Sequence, residues 1–311
     1  MILFQKILKT DKFVIVSYLL VVFAGNINAQ DFQLAGTHFL TYPSSGVKDS
    51  PKEAGFSFKE YGAFINLPFL LKNKKTAFIG GAGYGTVKVT GENLPMNGYN
   101  QLEEQLHAVY LQLGMAHKLR NNWRFTTIMR PTIASDFENK RSSGDFLPQG
   151  TAFAVKSIND HFSMGGGLAY TSRFGKPIAI PVLPLKYKIH RHNISMLFPI
   201  RSGYSYSFGK NENLKIGFKQ TVNGGQFNLT TSIPSEYDAS QINKVRYTRI
   251  NLGGNINYQL GKFIQLEMHG GTTVRRKYTI LDISNETHQF DLDKSLFLRF
   301  GILIVPPILH Q

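Results

Sequence analysis

Basic side chains fall on the polar rows of several segments of this chain, opposite an apolar row. They include Arg124, Arg130, Lys186, Lys188, Lys215, Lys219, Arg249, Arg275 and Arg299, with Glu267 and Glu60 as the carboxylates among them. Rings of Arg and Lys lining a pore favour anions. If the polar rows face a lumen, the lining set is Arg124, Arg130, Lys215, Lys219, Arg249, Glu267, His269, Arg275 and Arg299, and the solutes are small anions. The same cations could instead pair with carboxylates and fill a closed interior. The sequence supports a passive channel and a closed barrel equally; in the closed form, extracellular loops such as 136–149 and 232–243 would contact a partner or lipopolysaccharide.

Three further groupings could do chemistry. Gly80-Gly81-Ala82-Gly83-Tyr84-Gly85 has the composition of a phosphate-cradling loop, but that fingerprint needs a helix after it. Here Thr86-Val87-Lys88-Val89 continues as strand, so the glycines are expected to let an aromatic neighbour lie across them or to permit curvature. His190-Arg191-His192 could offer two metal ligands on one side of a strand. No carboxylate follows within ten residues, and a solvated basic turn fits better. His269, with Ser and Asn elsewhere, could serve an outer-membrane hydrolase, but no local motif places a nucleophile beside it. No catalytic residue, metal site or cofactor is assigned.

The elements that would position these side chains are strands. Along Arg249–Leu260, Ile250, Leu252, Ile256, Tyr258 and Leu260 alternate with Arg249, Asn251, Asn255, Asn257 and Gln259. Period two marks a strand with two unlike faces. The same alternation runs through Ile264–Arg275, Ser295–Ile304, Val109–Met115, Trp123–Ile133 and Leu214–Asn223, over about the ten residues of a tilted membrane-spanning strand. Tight turns are expected at 121–122, 159–160, 209–213 and 260–262. Longer polar connections are expected at 42–54, 90–102, 136–149, 232–243 and 279–290. Short and long links alternate, as periplasmic turns and extracellular loops do, except between Arg173 and Asn213. The fold predicted is an all-β, antiparallel up-and-down transmembrane barrel of about twelve strands, with ten or fourteen as the bounds.

Residues 1–29 read as a cleaved signal peptide. Lys6, Lys9 and Lys12 precede the 12-residue apolar stretch Phe13–Ala24, too short for a spanning helix of about 20 residues. Cleavage is expected between Ala29 and Gln30, leaving 30–311 as one barrel domain. The chain has no cysteine, which excludes disulfides, thiolate metal sites and a lipidated Cys. Mean hydropathy is −0.16, compatible with a barrel because its two faces cancel in any window average. The net charge of +15 raises nucleic acid as a partner, but export and the spread of basic residues along strands exclude it.

Periodicity does not say which face meets lipid. Polar faces rich in Gly, Asn, Gln, Thr and Arg suit a wet interior, and Trp123, Phe162, Tyr170, Tyr187 and Tyr258 lie where interfacial girdles sit. Outer-membrane lipid and lipopolysaccharide are the surroundings this implies. Arg299-Phe300-Gly301-Ile302-Leu303-Ile304 resembles the terminal signal read by the barrel-assembly machinery, with Pro306 at the usual final position. Gly167–Gly175, Pro181–Tyr187 and Met196–Pro199 resemble a family of uncharacterised outer-membrane β-barrels. That resemblance implies the barrel and its location, and no activity or catalytic residue.

Overall fold

A computed structural model describes residues 32–50, 53–96, 99–138, 143–229, 242–282 and 287–306. The signal peptide and the Ala29/Gln30 cleavage site lie outside them. Seventeen strand segments form one sheet: β1 (Ala35–Gly46), β2 (Gly55–Leu70), β3 (Thr76–Met96), β4 (Tyr99–Lys118), β5 (Trp123–Met129), β6 (Thr132–Ser135), β7 (Phe146–Leu147), β8 (Gly150–Ser157), β9 (Phe162–Thr171), β10 (Ile178–Ile189), β11 (His192–Phe198), β12 (Arg201–Phe208), β13 (Leu214–Asn228), β14 (Ile242–Leu260), β15 (Ile264–Asp282), β16 (Thr287–Asp291) and β17 (Leu296–Ile304).

Three pairs of segments are single staves with a break. β5 and β6 both pair with β4, across Arg130-Pro131. β8 and β7 pair with β5 and β6. β16 and β17 both pair with β15. The result is fourteen antiparallel staves, closed because β1 pairs with both β2 and β17. Fourteen replaces the expected twelve. The missed staves lie at 178–208, where two-residue links at 190–191 and 199–200 join β10, β11 and β12 without a polar loop between them.

The apolar row faces outward. Leu113 is 62% exposed and Leu168 64%, whereas Asn251 and Asn255 on the opposite row are buried. On β2, exposed Tyr61 and Phe69 bracket exposed Ile65 and Leu67. That interval is about 27 Å of strand, or about 20 Å along the membrane normal at a tilt near 40°. A closed barrel with an even number of staves, its first stave starting and its last stave stopping at one end, and with an apolar outer band is the architecture of bacterial outer-membrane proteins. The turns at 119–122, 158–161, 190–191, 209–213 and 261–263 share the end at which β1 starts and β17 stops. This is the periplasmic end.

The wall is uneven in height. β3 has 21 residues and β4 has 20, twice the spanning length, while β11 has 7 and β12 has 8. The connections expected at 90–102 and 279–290 are therefore mostly strand, continued beyond the membrane. Above the lipid band the alternation changes sign. On β14, Val245 and Tyr247 point inward and Lys244 and Arg246 outward; from Arg249 down, polar residues point inward and Ile250, Leu252 and Ile256 outward. The same inversion puts Phe56 and Phe58 of β2, and Tyr278 and Ile280 of β15, inside. Water surrounds the wall above the membrane, so there the apolar side must be the interior.

The upper walls close on themselves. Where β12 stops, the top of β13 meets β6 instead: Asn228 registers with Ser135, and the Asp136 amide donates to the Asn228 carbonyl. This narrower extracellular collar encloses a core that includes Tyr42, Phe56, Phe58, Phe227, Tyr247, Tyr278 and Phe290. Phe56 and Tyr278 have ring centroids 4.9 Å apart, and Phe56 and Phe290 5.5 Å.

Candidate functional site in the barrel lumen

Directly beneath the collar lies Arg249, 1% exposed. Its Nη2 meets the Glu60 Oε1 at 2.5 Å, and its guanidinium carbon lies 4.0, 4.4 and 4.3 Å from the ring centroids of Tyr42, Phe58 and Tyr247. Glu60 and Tyr42 reach it from β2 and β1, whose register pairs Leu40 with Glu60 and Tyr42 with Phe58. Stacking on aromatic faces is what a planar cation does in a water-poor site. Asn251 donates to the Tyr42 hydroxyl at 2.8 Å.

A second charged cluster sits one level lower. Lys219 Nζ lies 2.8 Å from one Glu267 oxygen, and Arg299 Nη2 lies 3.7 Å from the other. His269 is also inside, its Nε2 3.3 Å from the Lys219 carbonyl oxygen and its ring edge-on to Phe297 at 4.8 Å. A hydrolase base at the lipid face is thus not where this histidine sits.

Six more of the anticipated positions resolve as follows. Arg130 lines the lumen, donating to Gln112 and lying 4.6 Å from the centre of the Tyr110 ring. Arg124 and Lys215 occupy inward rows at the periplasmic mouth, Arg124 exposed and Lys215 half-buried, in register with Lys118 and Asn257. Lys186 and Lys188 are exposed on the inward row of β10, with Lys188 3.6 Å from Glu212. Arg275 is the correction. A register shift at Ile250/Asn251 sets two residues of β15 against one step of β14, so Arg275 turns outward and Arg276, 2% exposed, takes the inward place. A bulge flips every side chain beyond it, and alternation read through it puts the wrong arginine inside.

Sequence reasoning missed Arg173, which lies in the link between β9 and β10. That link folds inward over the low wall: the Arg173 guanidinium donates to the Val222 carbonyl at 3.3 Å, and the Arg173 carbonyl accepts from Thr248 at 3.1 Å. Gly224 permits this seat, because a Cβ there would come within 2.2 Å of the Arg173 oxygen. Such a link carries no periodicity to betray its direction. The glycine run of β3 behaves as expected from the strand continuing after it. Gly83 faces Tyr110 so closely that a Cβ would overlap the ring. His190 and Arg191 form the β10–β11 turn, and the His192 Nδ1 lies 2.9 Å from the Tyr204 hydroxyl.

Together Arg130, Arg173 and Arg299 line one internal cavity of about 310 Å³, whose wall also includes Tyr110, Gln149 and Tyr247.

Residues 38–303 match the family described as Domain of unknown function (DUF6268). The chain belongs to that family. No curated protein sequence matches it. Among solved structures it is similar to an outer-membrane channel from Pseudomonas putida F1, at 11% identity over 89% of this chain and 100% of that one, with a TM-score of 0.38. A deletion mutant of the TodX monoaromatic hydrocarbon channel aligns at 9% identity over 88% and 89%, TM-score 0.40. Outer membrane phospholipase A from Escherichia coli aligns at 12% identity over 93% and 96%, TM-score 0.29. The DUF6268 chain is an outer-membrane β-barrel of the Gram-negative type, on the closure, stave number and lipid-facing band described above.

Proposed function

We propose that this barrel is closed toward the outside and takes small anionic solutes into a cationic lumen from the periplasm. One observation carries the reading: the aromatic core fills the collar above a buried Arg249–Glu60 pair. A conducting pore needs a continuous water-filled path, and a packed aromatic layer removes it. The exposed inward residues Arg124, Lys186 and Lys188 at the opposite end support anions as the species drawn in, since a cleft lined by one sign of charge concentrates the other.

A second reading, a gated anion channel, is favoured by the continuation of cations from that mouth to Lys219 and Arg299. Planar bilayers separate the two. The closed barrel is expected to give no steady conductance steps at moderate voltage. Stable, ohmic, anion-selective steps from the unmodified chain would overturn it in favour of the channel. Contact of the collar with lipopolysaccharide belongs to the same proposal. Its outward polar rows, with exposed Lys88 and Glu103 paired across β3 and β4, suit a headgroup layer better than hydrocarbon.

A further inference from the structure

We propose that the cavity between Arg130, Arg173 and Arg299 binds a small organic molecule carrying a doubly charged oxyanion of the phosphate-monoester kind. This deepens the anion-uptake reading and rests on it.

Charge is the first argument. Three guanidinium groups border one space inside the barrel, and Glu60, the carboxylate on its wall, is already held by Arg249. Arg299 approaches Glu267 only to 3.7 Å, while Lys219 holds the same carboxylate at 2.8 Å. The cavity therefore keeps a surplus of positive charge between low-dielectric barrel walls, which focus its field on a counter-charge. Burial, and then the like charges of Arg130, Arg201 and Arg299, work against the charge on Arg173. A bound anion relieves this.

Unused donors are the second. The Nε atoms of Arg130 and Arg299 are buried without an acceptor among the described residues. Buried donors normally find partners, and a guanidinium fork matches two oxygens of a phosphate or carboxylate.

Rigidity and shape complete the case. Arg130 rests on the Tyr110 ring, which in turn lies against Gly83; Arg173 is pinned by Val222 and by the close approach at Gly224. Side chains held in place before binding lose little freedom on binding. The volume, about 310 Å³, exceeds what a bare tetrahedral ion fills and sits at the lower end of small-molecule pockets. Leu147, Phe227 and Tyr247 on the same wall offer apolar surface for an organic remainder.

The test uses the full chain folded in detergent micelles, with calorimetric titration of phenyl phosphate, inorganic phosphate and phenol. Phenyl phosphate is expected to bind saturably and at least tenfold more tightly than either of the others. Arg130→Gln and Arg299→Gln are each expected to weaken it at least tenfold, and Arg275→Gln on the outer face less than twofold. Folding is checked by the heat-modifiable gel mobility of barrels. A readout on the unmodified chain covers variants that do not fold: phenyl phosphate is expected to protect Arg130, Arg173 and Arg299, but not Arg275, from phenylglyoxal, as read by peptide mass mapping. Equal binding of phenol, equal binding of bare phosphate, or no selective protection would each overturn the proposal. Absence of both binding and conductance would sink this site alone, whereas open conductance would sink the closed-barrel reading.

Discussion

Arg249 and Glu60 stand 189 positions apart in sequence and meet at 2.5 Å inside the barrel. The pair lies just beneath the aromatic collar and ties β14 to β2, staves that are not neighbours in the sheet. On β14 the inward row is polar only from this level down, where Asn251 and Asn255 follow Arg249. The ion pair thus marks the height at which the interior changes from apolar to hydrated.

Removing one partner should be costly, because the other is left charged and buried. Glu60→Ala is expected to destabilise the barrel by about 3–5 kcal/mol. Arg249→Met fills the space between the rings but leaves Glu60 without its partner, and is expected to cost a similar amount. In a double-mutant cycle read by denaturant unfolding in micelles, the double variant is expected to lose clearly less than the two singles added. Strict additivity would show that the two side chains are not coupled.

Adjacent arginines on β15 should behave in opposite ways. Arg276 is buried beneath the collar and donates to Ser45 and to the Asp293 carbonyl, whereas Arg275 is exposed on the outer face. Arg276→Ala is expected to cost at least about 2 kcal/mol through the orphaned polar partners and the cavity it leaves. Arg275→Ala should stay within about 0.5 kcal/mol of the parent. Reversed magnitudes would refute the bulge and restore the unbroken alternation.

These arginines also show where sequence reading succeeds and where it fails. Ile250–Leu260 was legible because lipid outside and water inside demand opposite chemistry on alternate residues, and Asn251, Asn255 and Ile256 point as their types require. Lys219, Glu267 and His269 were placed inside by the same logic. Above the membrane both demands invert, so Val245 and Tyr247 are inward apolar residues on a strand whose lower inward residues are polar. A pattern that changes sign within one strand looks like its end, which is why 90–102 and 279–290 read as loops. Arg173 was invisible for a different reason: its direction is set by a link folding over a low wall, which no local period encodes.

Gly224 is where that link can be probed. A Cβ at this position would crowd the carbonyl oxygens of Arg173 and Tyr247, both backbone atoms that cannot rotate away. Gly224→Ala is therefore expected to lift the 172–177 link and to destabilise the barrel by about 1–3 kcal/mol. Hydrogen exchange should report faster exchange at Gly175, whose amide donates to the Ser172 carbonyl, with β14 below Arg249 unchanged. Unaltered exchange at Gly175 in a folded Gly224→Ala barrel would contradict the packing described.

The collar should also give the barrel a pH dependence of definite sign. Glu104 lies on the inward row of β4 above the lipid band, buried, and its carboxyl is raised from 4.5 to about 7, first by burial and then by the neighbouring charges of Asp136 and Glu138. The unfolded chain releases this proton near 4.5, while the folded chain holds it up to about 7. Between those values the folded state binds more protons, so stability falls as the pH rises through that window and levels off above it. The loss is no more than about 3.4 kcal/mol, the full equivalent of the shift. Glu104→Gln, neutral at every pH, is expected to remove this part of the slope and to be the more stable chain at pH 8. Denaturant unfolding of both proteins in micelles at pH 4.5, 6, 7 and 8 makes the comparison. Parallel pH profiles would mean that the Glu104 carboxylate is accommodated in the collar as easily as in water, and that the packing around it is looser than the structure places it.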